Sequence, residues 1–261
     1  MSERSDHEAG SPCWAELSST DVTLSVRFYR EIFGWEAVFD PRPGAGGHGR
    51  FTLEGKDVAG VGPNPGDGGF PAWSTAWTVR VAVRDVEGVA ERVPHAGGKV
   101  VLGPVRDAEG GVVALLQDPS GALLSAGRPG GREGARGAGE PGTFAWSELV
   151  TGDTGACEEF YRSVLGWEAR PGERGGTPYT EWWLNGRPVA GMTRPEPWLP
   201  RRAPSHWRAC FAVADVGAAV ARACELGGVS AWHARDADPP RAVVSDPQSA
   251  FFGLVGAGHA R

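Results

Sequence analysis

Apolar and polar positions alternate over residues 13–17, and the pattern then switches to a helical spacing that puts Leu24, Phe28 and Ile32 on one face. Thr20 and Asp21 stand where an N-cap is wanted, since a short side-chain oxygen accepts from the unpaired N–H groups of a first turn. Gly34 stands where such a helix stops. Short strand patterns follow over 49–53 and 58–61. A second unit repeats this order: an alternating strand over 77–83, a helix opening at Asp85 and carrying Val86, Val89, Ala90 and Val93, and a Gly97-Gly98 stop. Pro94, which has no backbone donor, is expected to shorten that helix. Strands over 100–101, 112–117 and 121–126 complete it. Residues 12–127 therefore read as two βαβββ units of an α+β domain.

The same signals then recur. Trp14-Ala15-Glu16-Leu17 with Asp21, Phe28-Tyr29 and Gly34-Trp35-Glu36 returns as Trp146-Ser147-Glu148-Leu149 with Asp153, Phe160-Tyr161 and Gly166-Trp167-Glu168. Val58-Ala59-Gly60 returns as Val189-Ala190-Gly191, Asp85-Val86 as Asp215-Val216, and Asp118-Pro119 as Asp246-Pro247. A repeat with order and loop lengths preserved means one supersecondary plan used twice. The second copy spans 143–257. Between the copies, 128–142 is rich in Gly, Arg, Glu and Pro without apolar periodicity, the composition of a linker.

Composition narrows the function. The 261 residues carry a net charge of −6 with arginines dispersed, which excludes the basic stripe that nucleic acid requires. Residues 1–12 are polar and no apolar run reaches spanning length, so a soluble, cytoplasmic chain with no membrane partner is expected. Cys13, Cys157, Cys210 and Cys224 form no CxxC pair, which argues against a disulfide framework or a cysteine zinc site. No nucleophilic triad or phosphate-cradling glycine loop is present.

A strand followed by Asp, Phe-Tyr and Gly-Trp, a second unit opening on a strand and Asp-Val, and a closing Asp-Pro turn together resemble the vicinal oxygen chelate superfamily of glyoxalases, extradiol dioxygenases and bleomycin-resistance proteins. The resemblance covers about 12–255. It implies two tandem domains, each a pair of βαβββ units curling a sheet around a cavity that commonly holds a divalent metal. The Trp-x-Glu-Leu openings are most similar to two-domain actinobacterial members, some of which accompany anthracycline and other aromatic polyketide pathways. The family's ligand positions fall on Trp14, Thr78 and Ser125 in the first half and on Trp146, Arg208 and Gly253 in the second. Such side chains supply no imidazole or carboxylate, so no metal and no cofactor are expected. One irregular alternative groups Glu148 with His206 and His233. His7, His48 and His259 read as solvated bystanders.

With the metal set aside, function rests on shape and side chains. Eleven tryptophans against three tyrosines favour a planar, hydrophobic ligand, since indole faces stack on flat rings. Trp14, Trp146, Trp182 and Trp183 are candidate ligand-binding residues, Trp73, Trp198 and Trp232 could rim a cavity, and Trp35, Trp77, Trp167 and Trp207 read as core. Polar candidates on the same faces are Thr78, Arg80, Ser125, Arg208, Cys210 and His206, with Glu148 and Glu16 as candidate general bases. A Glu16–Arg80 or Glu148–Arg208 ion pair is an equally weighted alternative. Two functional classes follow: a binding protein for an aromatic natural product, in sequestration, resistance or as accessory partner of a biosynthetic enzyme; or a metal-independent isomerase, cyclase or lyase of polyketide metabolism. A metal-dependent lyase or dioxygenase stands third. Assembly is read as a monomer with pseudo-dimeric halves or a homodimer.

Overall fold

The computed structural model describes residues 8–42, 46–64, 75–106, 111–128, 139–199 and 203–258. Trp73, His7, His259 and most of the linker lie outside them. Each half is an eight-stranded mixed sheet with two helices. The first holds β1 (Pro12–Ser19), α1 (Val22–Phe33), β2 (Glu36–Phe39), β3 (Gly49–Leu53) and β4 (Lys56–Pro63), then β5 (Ala76–Ala82), α2 (Val86–His95), β6 (Lys99–Arg106), β7 (Val112–Gln117) and β8 (Leu123–Gly127). The second repeats it: β9 (Phe144–Val150), α3 (Thr154–Leu165), β10 (Glu168–Arg174), β11 (Thr177–Leu184) and β12 (Arg187–Thr193), then β13 (His206–Val213), α4 (Val216–Glu225), β14 (Val229–Ala234), β15 (Arg241–Ser245) and β16 (Phe251–Gly256). The strand orders, β2-β3-β4-β1-β5-β8-β7-β6 and β10-β11-β12-β9-β13-β16-β15-β14, are identical in plan. The opening strands of the two units, β1 with β5 and β9 with β13, pair antiparallel at the centre of each sheet.

All four helices are capped as the sequence requires. Asp21, Asp85, Asp153 and Asp215 each accept a backbone N–H three residues on. Gly34 and Gly166 close α1 and α3 at φ 72° and 75°, the left-handed region that glycine enters without a Cβ clash. Two expectations change. α2 continues through Pro94 to His95, and its end is closed by the N–H groups of Ala96, Gly97 and Gly98 on the carbonyls of Arg92, Val93 and Pro94. The buried face of α1 is Ser25, Phe28, Tyr29 and Phe33, whereas Leu24 is exposed. The helix is turned so that Tyr29 reaches the other half of the molecule.

That reach explains two of the repeated signals. Tyr29 Oη donates to Asp246 Oδ2 (3.1 Å) and accepts from Trp77 Nε1 (2.9 Å). Across the pseudo-symmetric interface, Tyr161 Oη donates to Asp118 Oδ2 (2.8 Å) and accepts from Trp207 Nε1 (2.8 Å). The Phe-Tyr and Asp-Pro signals of opposite halves are thus mates. Burial and the adjacent carboxylate hold both phenols well above their ordinary range, as donors. Trp35 and Trp167, both fully buried, donate across the same interface to the carbonyls of Gly142 and Gly10 (2.8 and 2.7 Å). α1 lies against α4 and α2 against α3, and one continuous core runs through both halves, with Trp35 and Trp77 packed on Phe211. Trp77 and Trp207 belong to this core, as strand alternation requires. Each sheet is left with its opposite face for a site.

Candidate functional site

In the second half that face forms a cavity of about 830 Å³. Trp146 and Glu148 on β9 alternate onto it, as do Arg208 and Cys210 on β13, with Glu148 opposite Arg208 and Trp146 opposite Cys210. Gly253 completes the floor on one flanking strand, Gly191 lies beneath Tyr179 on the other, and both are glycine for a reason of space. A Cβ at Gly191 would overlap Tyr179 Oη, and one at Gly253 would overlap Cys210 Sγ. Tyr179 projects from β11 through the room that Gly191 leaves.

Glu148 is the hub. Its Oε1 accepts from Arg174 Nη1 (2.6 Å) and Tyr179 Oη (3.1 Å), and its Oε2 from Arg208 Nη1 (3.4 Å). Trp146 Nε1 donates to Tyr179 Oη (2.9 Å), and the Arg174 guanidinium stacks 3.5 Å from the Tyr179 ring centre. Arg208, 2 % exposed, also donates to Glu196 Oε1 (2.8 Å) and lies over the Trp198 ring. Two carboxylates therefore pair in charge with two buried or half-buried guanidiniums. Burial and the Glu148 charge raise the Tyr179 phenol well above its usual range, so it is a neutral donor at physiological pH. Burial likewise raises the Cys210 thiol, a small lining hydrophobe rather than a nucleophile.

The first half carries a variant of this arrangement. Glu16 Oε2 accepts from Arg80 Nη2 (3.0 Å), and His48 Nδ1 lies 3.9 Å from Glu16 Oε1. Glu16 faces Thr78, while Trp14 and Ser125 both flank Arg80 in register. The ion-pair alternative for both glutamates is thus what the structure forms. Trp14 is 6 % exposed and packs with Cys13 and Ala82, whereas Trp146 is half-buried and lines the cavity.

Three candidates are misplaced. Trp182 is fully buried in the core, because alternation along β11 sends it away from Tyr179 and Glu181. Trp183 lies beyond the cavity, past a bulge in the β11–β12 pairing, donating to Glu181 and stacked under Arg170. His206 is off the lining, its Nδ1 facing the Pro204 carbonyl at 3.0 Å. Conversely, sequence reasoning missed Arg174, Tyr179, Glu196 and Arg241. An alternation signal over 177–181 was available for Tyr179; the others sit on strand ends and a loop without periodicity.

Burial lowers His206 from 6.5 to about 4, so the fold holds it neutral while the unfolded chain protonates near 6.5. Stability is therefore present above that value and lost as pH falls through the window. Wild type is expected to lose about 1–2 kcal/mol more than His206→Gln between pH 7 and 5 in urea unfolding; equal losses would show that the imidazole titrates freely.

The family's divalent metal does not fit here. Among the described residues no three of His, Cys, Asp and Glu stand together as a metal-holding group, and Glu148, His206 and His233 are not assembled. The ligand positions present an indole, a buried guanidinium and a glycine, and the carboxylates beside that guanidinium, Glu148 and Glu196, are already ion-paired to arginines. A cation placed there would meet like charge.

Fold and repeat place the chain in a recognised class. The glyoxalase/bleomycin resistance protein/dioxygenase superfamily model matches residues 13–125, and the glyoxalase-like domain model matches 148–255. The chain belongs to this superfamily, as two tandem domains. It is 38 % identical to the anthracycline biosynthesis protein DauV of Streptomyces sp. (strain C5), over 94 % of this chain and 93 % of that protein. The anthracycline biosynthesis protein DnrV of Streptomyces peucetius matches at 38 % identity over the same shares. Among solved structures, the Mn(II)-bound glyoxalase from Novosphingobium aromaticivorans superposes with a TM-score of 0.65 at 15 % identity, covering 95 % of this chain and 82 % of that one. No helix among the described residues is long and apolar enough to cross a membrane.

Proposed function

We propose that this chain is a metal-independent vicinal-oxygen-chelate protein that encloses a planar aromatic small molecule of the anthracycline or polyketide class in its second-half cavity, as a biosynthetic accessory, sequestering or resistance protein in the cytoplasm. The observation that carries the reading is the lining: a drug-sized space walled by Trp146, Trp198, Trp232 and Tyr179, over a floor where an internal Arg–Glu–Arg network stands at the metal's place. Flat rings offer stacking area to indoles at low ordering cost. The names of the two Streptomyces relatives supply the pathway context. Titration of intrinsic tryptophan fluorescence with a panel of anthracyclines and tricyclic polyketides, in chelator, tests it. Saturable quenching is expected, and no response across the panel would sink the reading.

A second reading is favoured by one contact. Tyr179 Oη donates to Glu148 inside the cavity, a pair able to pass a proton to or from a bound enolisable ring. On this reading the chain is a metal-independent isomerase or cyclase with Glu148 as base, and Glu16 its counterpart in the first half. Turnover in chelator that disappears in Glu148→Gln while binding persists would establish it.

A further inference from the structure

The cavity holds one more guanidinium than its network uses. Arg174 and Arg208 are matched by Glu148 and Glu196. Arg241, on β15 opposite Val255 and Ala234, also lines the cavity, yet its side chain has no hydrogen bond or ion pair among the described residues. Register equates it with Val113 of the first half, which likewise faces the closing strand, opposite Gly127. The charge is thus peculiar to the half that has the open tryptophan. A long cationic side chain that is half-buried without a direct partner loses hydration that the more distant Glu148 charge offsets only in part, a cost that a ligand anion lowers further. Consistent with this, burial comes first and the Arg174 charge second in lowering the Arg241 guanidinium from its usual value. Two further donors in the lining are screened from solvent without an acceptor, Arg208 Nε and Trp198 Nε1. The other carboxylates of the lining do not answer Arg241: Glu173 and Asp238 are exposed, and Glu181 accepts from Trp183.

We propose that the ligand is an acidic aromatic, bearing a carboxylate or an equally charged oxygen group that Arg241 binds. The inference rests on the aromatic-binding reading and adds the charge. Arg241 gives a planar two-donor face for that group, and stacking on Trp146 and Trp198 holds the rings.

The test is a fluorescence titration of the full chain with anthraquinone-2-carboxylate and its neutral isostere anthraquinone-2-carboxamide, on wild type, Arg241→Met and Arg241→Lys. Wild type is expected to bind the carboxylate at least tenfold more tightly than the carboxamide, with the preference weakening as salt rises. Arg241→Met is expected to bring the carboxylate down to the carboxamide's affinity, and Arg241→Lys to keep part of the preference. Equal wild-type affinities for the two probes would overturn the proposal and leave aromatic binding standing. Failure of both probes to bind would count against both. Because the wild-type comparison decides by itself, a poorly folded variant does not shelter the idea.

Discussion

Asp118→Ala is expected to destabilise the chain by about 3–5 kcal/mol and to lower its Tm by about 10 °C, in a protein where most single changes cost far less. The carboxylate is 4 % exposed and does two jobs. Its Oδ1 accepts from Ser120 N (2.9 Å), Ser120 Oγ (2.7 Å) and Ala122 N (3.0 Å), which closes the turn between β7 and β8. Its Oδ2 accepts from Tyr161 of the other half. Deletion leaves a buried phenol and two backbone donors without an acceptor, and each such loss costs about 1–3 kcal/mol. Ser120→Ala removes one donor only, so it should cost about 1 kcal/mol or less. Thermal unfolding of the two variants side by side checks this. Melting of Asp118→Ala within a degree or two of wild type would refute the view that the Asp-Pro turn clamps the halves together.

The second large effect belongs to the site. Arg208→Met keeps an unbranched apolar stem but strips the charge from between two carboxylates. Breaking a buried pair by removing one partner costs about 3–5 kcal/mol, since the other charge stays buried alone. Glu148 retains Arg174 and Tyr179, but Glu196 loses its donor, so Glu196 should account for most of the penalty. The double variant Arg208→Met, Glu196→Gln should therefore recover a substantial part of the lost stability in a double-mutant cycle. Strict additivity of the two changes would contradict the coupling.

Much of this architecture is legible in the sequence because it is local or repeated. The four capping aspartates, the two left-handed glycines and the tandem order of units each depend on neighbours a few residues away, and all are present. The tryptophan and glutamate of each Trp-x-Glu-Leu opening share a strand face, so Trp146 and Glu148 could be placed together before any partner was known. What was not legible depends on contacts between distant parts of the chain. The true buried face of α1 is set by Asp246, which Leu24 and Ile32 give no hint of. Trp182 and Trp183 were misread because neighbouring residues on a strand cannot share a face, and composition alone ignores that. Arg174, Tyr179 and Arg241 escaped because the first half carries no like residues at the matching positions, where Val113, for example, stands for Arg241. His48 comes nearest to being Tyr179's counterpart, and it approaches Glu16 without the donor geometry that Tyr179 has.

The halves thus differ: the first buries Trp14 beside its Glu16–Arg80 pair, and the second places Trp146 in the lining of a cavity. Calorimetric titration of the chelator-treated protein with a tetracyclic anthracycline tests this most directly. One molecule is expected to bind per chain with a negative heat-capacity change, unaltered by added Mn(II) or Zn(II) and abolished by Gly253→Trp, which puts an indole into the cavity lining. Binding that appears only once a divalent metal is supplied would contradict it.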